Sequence, residues 1–163
     1  MKKTRCALYS AVFFICAIVP ASAGQWKGFD EGMREARAKK LPVIVDFSTD
    51  WCGWCKKMDA EVFSRPDIAQ RLSKEFITVR LDAESGSFLT YRGKRMTAAQ
   101  FTALMKVEGF PTLIVFDPQG NVMTQLGGFV EGKYFLMFMD FIKKGCWKKT
   151  NFETYLDKGG DCR

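Results

Sequence analysis

Val43-Ile44-Val45-Asp46-Phe47-Ser48-Thr49-Asp50-Trp51-Cys52-Gly53-Trp54-Cys55-Lys56 is the stretch on which the fold turns. Its first five residues are apolar and β-branched apart from Asp46 and Phe47, the pattern of a strand buried on both faces. Ser48 to Trp51 reads as a turn. From Cys52 a helix is predicted to about Phe63, with Met58, Val62 and Phe63 turned inward. Cys52 and Cys55 therefore lie where a buried strand hands over to a helix. A thiol at a helix N-terminus meets the positive end of the backbone dipole and unpaired N–H groups. Both favour thiolate over thiol, so its pKa falls and it can attack at neutral pH. Two intervening residues let the second sulfur reach the first across one turn. Cys52 is expected to be the exposed nucleophile, and Cys55 the shielded thiol that resolves a mixed disulfide.

Outward from this stretch the chain alternates. Residues 28–40 form an amphipathic helix with Phe29, Met33 and Ala36 on one face, ended by Leu41-Pro42. Ser64-Arg65-Pro66-Asp67 restarts helix, with Ser64 as cap and Pro66 in the first turn. Residues 76–81 read as a second strand. Phe88 to Tyr91 and Lys94 to Met96 suggest a small hairpin around Arg92-Gly93. Thr97-Ala98-Ala99-Gln100 fits a capping box opening a helix to about Val107. Leu113 to Phe116 and Val122 to Leu126 are strands joined by the turn residues Asp117 to Asn121. Glu131 to Lys144 is a helix with Phe135, Met139 and Ile142 on one stripe. The class is α/β: a mixed four- to five-stranded sheet with helices on both faces. Strands separated by helices should pair parallel, and the last two antiparallel.

The 163 residues suit one domain. With 47% apolar and 26% charged residues, disorder and low complexity are excluded. Histidine is absent, which removes a Ser-His-Asp triad, a His-ligated zinc and c-type haem attachment. Lys2, Lys3 and Arg5, the apolar run Cys6 to Val19 and Ala21-Ser22-Ala23 have the three parts of a secretory signal peptide, 1–23. Contact with the membrane is then only transient. Without the leader the net charge falls from +7 to +4, a solvated basic surface rather than a nucleic-acid footprint. A domain over 24–145 and an extension over 146–163 remain. The exported compartment permits disulfides. Bridged, Cys146 and Cys162 would clamp the extension to the last helix, a constraint worth about 3 kcal/mol. A second redox relay is the alternative for that pair. A merely structural Cys52–Cys55 bridge would restrain little chain entropy. The spacing of the four cysteines does not suit a metal, so none is expected.

Taken together and in this order, Val45-Asp46-Phe47, Trp51-Cys52-Gly53-Trp54-Cys55-Lys56 and Phe110-Pro111-Thr112 resemble the thioredoxin superfamily, over about residues 28–144. Gly127-Gly128 resembles the family's late glycine turn. The resemblance implies a thioredoxin-like fold and thiol-disulfide exchange without a cofactor. It implies a cis Pro111 facing the cysteine pair, with neighbouring backbone that pairs with substrate. Trp51, Gly53, Trp54, Phe110, Pro111 and Thr112 are the substrate-binding candidates. Asp46, six residues before Cys52, matches a buried acid that assists proton transfer at the second cysteine, and is the third catalytic candidate. Arg80 lies where relatives often carry a lysine.

Three departures narrow the resemblance: Gly-Trp between the cysteines, a longer segment from Asp82 to Pro111, and the C-terminal extension. With the leader, these resemble periplasmic thioredoxin-like proteins, namely the sulfur-oxidation-associated thioredoxins and the C-terminal domain of the thiol-disulfide interchange reductase. A strong oxidant needs an unusually stabilised reduced form, and no histidine is present to provide one. The expectation is a periplasmic reductase of disulfide-containing exported proteins, recharged by a membrane thiol-disulfide interchange protein. A disulfide oxidase or isomerase, or a non-catalytic binding protein on the same scaffold, are the alternatives.

Overall fold

A computed structural model describes residues 26–163; the expected leader lies outside the described residues. Helix α1 spans Phe29–Lys39, with Asp30 and Glu31 in its first turn and Arg37 and Lys39 in its last, as the helix dipole favours. Strand β1, Val43–Ser48, runs into α2, Gly53–Met58. The predicted single helix is not uniform: Asp59–Phe63 is a π-helical turn that follows α2 directly. Helix α3 is Pro66–Glu75, with Pro66 in its first turn. The expected Ser64 cap is corrected: Arg65 is the N-cap, and Ser64 Oγ instead donates to the carbonyl of Ala60 at 2.6 Å. That carbonyl lies four residues back, in the π turn, and captures the hydroxyl before α3 begins.

Strand β2 is Ile77–Asp82, and the hairpin β3 Phe88–Tyr91 and β4 Lys94–Thr97 forms a separate two-stranded sheet. The capping box forms at α4, Ala98–Leu104: Thr97 and Gln100 exchange both of its hydrogen bonds. Strands β5, Thr112–Phe116, and β6, Val122–Gly127, precede α5, Gly132–Lys143. The tail makes a 3-10 turn, Cys146–Lys148, and helix α6, Phe152–Asp157, capped by Asn151.

The main sheet has the order β2-β1-β5-β6. A fifth element is reduced to one parallel bridge, Lys27 with Val79. β1 and β2 are parallel as expected, but β1 and β5 are antiparallel, which corrects the parallel expectation. The reason lies in residues 83–111. They leave β2 at the end of the sheet where β1 also ends, pass through the hairpin and α4, and return to that same end. β5 can then only run backwards along β1.

Alternation along the strands makes two cores. Ile44, Leu113 and Val115 face a layer built from α2, α3 and α5. Val45, Phe47, Ile114 and Phe116 face α1, α4 and the hairpin. The tail belongs to the first layer, where Phe152 and Tyr155 pack on Phe138 and Phe141. Three chain ends converge at one rim: the carboxyl end of β1 with Cys52, the amino end of β5 with Pro111, and the carboxyl end of β6 with Gly127 and Gly128. Gly128 N–H closes that rim by donating to the Pro111 carbonyl at 2.8 Å. No helix among the described residues is long and apolar enough to cross a membrane.

Candidate active site

Cys52 is the N-cap of α2, in extended conformation. Its Sγ accepts the Cys55 N–H at 3.0 Å, one of the donors that a helix start leaves unpaired. Cys55 sits one turn into the helix, and the two sulfurs are joined as a disulfide. The expected contrast in exposure is corrected: Cys52 is 3% exposed and Cys55 7%. In the oxidised form the Cys52 sulfur folds back over the first turn, tied to Cys55 by the bond and by the N–H contact, so neither side chain projects. Cys55 borders a cavity of about 210 Å³ that Thr49, Asp59 and Arg80 also line, so the pair has a polar opening behind it.

Aromatic rings flank the pair. Trp51 is 67% exposed, yet held: its Nε1–H donates to Glu84 at 2.9 Å, and its ring meets Phe110 edge-on at 6.0 Å. Trp54 is 57% exposed and lies against Phe129 at 5.6 Å, with the Lys57 ammonium over both rings. Gly53 has open space around its Cα. The Phe110–Pro111 peptide bond is cis. Thr112 is buried, and its hydroxyl donates to the Gly109 carbonyl at 2.7 Å. Phe110 and Thr112 line a second cleft of about 300 Å³ with Gly127 and Gly128.

Behind the disulfide lies a charged network. Asp46 shares the face of Ile44 on β1 and is almost fully buried. Arg80 on β2 is its register partner; the guanidinium donates to Asp46 Oδ2 at 3.1 Å and grips both oxygens of Asp59. The far face of the guanidinium stacks on Trp26, 4.4 Å from the ring centroid. Asp46 Oδ1 and Thr49 Oγ1 have no hydrogen-bond partner among the described residues. Burial pushes the Asp46 carboxyl up to about 6, against the opposing pull of Arg80 and with help from the charge of Asp59. An acid titrating there can hold or release a proton near neutrality, the property asked of a proton carrier beside a thiol.

The fold thus brings Cys52, Cys55, Trp51, Gly53, Trp54, Phe110, Pro111 and Thr112 to one rim, with Asp46 beneath. Cys146 and Cys162 are bridged elsewhere, holding the tail against α5. Asp59 and Trp26 were not singled out from sequence. Asp59 lies four residues after Cys55, one turn along the same helix face, a spacing that could have flagged it. Trp26 carried no such signal. No cluster of potential metal ligands occurs among the described residues.

Residues 29–143 match the family model for the thioredoxin-like domain. The chain belongs to the thioredoxin-like domain family. Within it, the chain is similar to the thiol:disulfide interchange protein DsbD of Salmonella paratyphi A, 37% identical over 107 residues. That match covers 61% of this chain but spans only 16% of the relative's length. The disulfide bond reductase DsbH of Chlamydia pneumoniae is 24% identical over 110 residues, covering 67% of this chain and 66% of that one. A solved thioredoxin from Thermus thermophilus superposes with a TM-score of 0.62 at 23% identity, covering 76% of this chain and 90% of its own. At that identity the likeness is one of fold. The thioredoxin-like domain and its mixed sheet are as the sequence motifs led us to expect.

Proposed function

We propose that this thioredoxin-like chain is a thiol-disulfide oxidoreductase that reduces disulfides of exported proteins. The observation that carries the reading is the placement of Cys52 as the N-cap of α2, its sulfur already accepting a helix N–H. In the dithiol form that same position meets the dipole and the free donors, which stabilise thiolate. The Cys52 thiolate attacks one sulfur of a substrate cystine. The substrate S–S bond breaks, its other sulfur leaves as thiolate, and a Cys52 mixed disulfide forms. Cys55, deprotonated in turn, attacks Cys52 Sγ and releases the second substrate sulfur. The substrate gains two electrons and the enzyme ends as the Cys52–Cys55 disulfide. Asp46, ion-paired to the Arg80 that lines the cavity beside Cys55, is assigned the proton traffic at Cys55. Trp51, Gly53, Trp54, Phe110, Pro111 and Thr112 form the surface on which the substrate segment lies.

Direction and location rest on sequence and likeness. The leader-like residues 1–23 support export to the periplasm, and the likeness to an interchange protein and a disulfide bond reductase supports a place in thiol-disulfide exchange. A membrane thiol-disulfide interchange protein is the electron donor on this reading, and the bridged Cys146–Cys162 pair is structural. Insulin reduction driven by dithiothreitol tests the activity. Cys55→Ser should accumulate mixed disulfides through Cys52 in cells, and a failure to trap any partner would favour a non-catalytic binding scaffold. Equilibration with glutathione tests direction: a potential near that of strong oxidants, about −120 mV, would reverse it.

A further inference from the structure

The C-terminal extension builds something the redox site does not require. Between β6, the start of α5 and α6 lies an open groove of about 670 Å³. Leu126, Phe129, Val130, Tyr134, Phe152 and Leu156 supply its apolar lining. Phe129 belongs to two places at once: it lines this groove and it is the ring against which Trp54 packs beside the disulfide. The groove is therefore continuous with the surface around Cys52. Its inner wall is an edge strand. β6 pairs with β5 on one side and with no other strand among the described residues, so the backbone donors and acceptors of its other side are unused by the sheet. Its outer wall is α6, held to the domain by the Cys146–Cys162 bridge. Tyr134 stands 41% exposed at the opening. The only charged residues in the lining are Glu131 and Glu153.

We propose that this groove is a second substrate subsite, taking an extended apolar segment of the disulfide-bearing protein, with a basic residue set against Glu131 and Glu153. The occupant follows from three features. Continuity through Phe129 makes it part of the polypeptide whose cystine meets Cys52. The free edge of β6 suits an extended chain, which gains main-chain hydrogen bonds there and fills side-chain pockets at alternate positions. The two carboxylates select cationic over anionic neighbours. The extension and its disulfide then have a role in recognition: they hold the wall that makes the domain prefer long polypeptide disulfides over small ones.

This inference rests on the proposed exchange activity, and the test separates the two. The probe is a synthetic peptide with one cysteine, disulfide-linked to thionitrobenzoate, carrying an apolar run and a lysine on either side of that cysteine. The reference substrate is the same cysteine without the run, and dithiothreitol recycles the enzyme. Wild type should favour the long peptide in kcat/KM by about tenfold, the factor that one good apolar contact supplies. Leu156→Asp and Tyr134→Ala should abolish that preference while leaving turnover of the short substrate unchanged. Glu153→Lys should transfer the preference to a peptide with glutamate in place of lysine. Loss of activity on the short substrate in wild type would defeat the exchange reading itself. Equal kcat/KM for long and short peptides in wild type would overturn the groove alone, as would an unchanged preference in Leu156→Asp. Concentration-dependent dimerisation that Leu156→Asp abolishes would assign the groove to a second copy instead, and would also overturn it.

Discussion

Asp46 and Arg80 are register partners on adjacent parallel strands, and the guanidinium that reaches Asp46 Oδ2 at 3.1 Å also holds Asp59 on the turn beyond Cys55. One cation therefore serves two carboxylates, one buried and one near the surface. Arg80 is itself a third exposed, so its attraction is partly screened. This division explains why Asp46 titrates high although it is ion-paired: desolvation outweighs a shared counter-charge.

Removing the guanidinium should push Asp46 higher still. Arg80→Leu is expected to move the acidic limb of the pH-rate profile for Cys55-dependent resolution upward. It should also destabilise the fold near pH 8 by about 1–3 kcal/mol, less than a fully buried pair would cost. Relief at about pH 5, where Asp46 is already protonated, would accompany it. Stopped-flow rates and urea titrations read both effects. An unmoved profile would show that Asp46 does not take part in resolution.

The elevated carboxyl fixes the sign of a stability change with pH. Folded Asp46 titrates at about 6 against 3.8 for a free aspartate, so between these values the folded state binds more protons than the unfolded one. Its contribution is fully present below about pH 4 and is lost as pH rises through about 6. Asp46→Asn should therefore stabilise the protein by up to about 3 kcal/mol above pH 7 and by little at pH 4. The same variant should slow release of the mixed disulfide. Urea midpoints across that range, with constant slope, check the first statement, and quenched-flow kinetics the second.

Gly32 on α1 packs directly against Val79 of β2, and a Cβ there would overlap Val79 Cγ2. Val79 is fully buried and neighbours Arg80, so the strand cannot yield without moving the guanidinium. Gly32→Ala is expected to destabilise by about 1–3 kcal/mol, the cost of overpacking, despite alanine's better helix propensity. A stability gain in thermal melts would contradict the close approach.

The Cys146–Cys162 bridge closes a loop with a sequence separation of 16 at a fully buried Cys146. Replacing both by alanine should cost about 3 kcal/mol through the freed unfolded chain. Turnover of small disulfides should persist, since neither sulfur lies at the redox rim. A loss of small-disulfide turnover in the folded double variant would point to a relay between the two pairs.

Much of this fold was legible because its cues are local. The β-branched run at 43–47, the capping box at Thr97 and Gln100 and the turn residues from Asp117 to Asn121 each act through neighbours in the chain. The cysteine pair was legible for the same reason: its chemistry depends on two residues with a sequence separation of 3 at a helix start. Where local cues competed, the reading failed. Ser64 looked like a cap, but a carbonyl in the preceding π turn took its hydroxyl. Cys52 looked like an open thiol, but its sulfur folds back onto the turn it caps.

By itself the sequence determined the alternation of strands and helices and the Cys52–Cys55 pair at a strand-to-helix junction, since periodicity, capping and short spacing act within one or two turns of chain; the thioredoxin-like family was legible as a resemblance of three motifs in their order. Only the tertiary structure decided that β5 runs against β1, that Arg80 shares itself between Asp46 and Asp59 under Trp26, and that α6 walls a groove along β6. Those relationships join residues tens of positions apart, and strand register and side-chain packing, not local preference, set which of them meet.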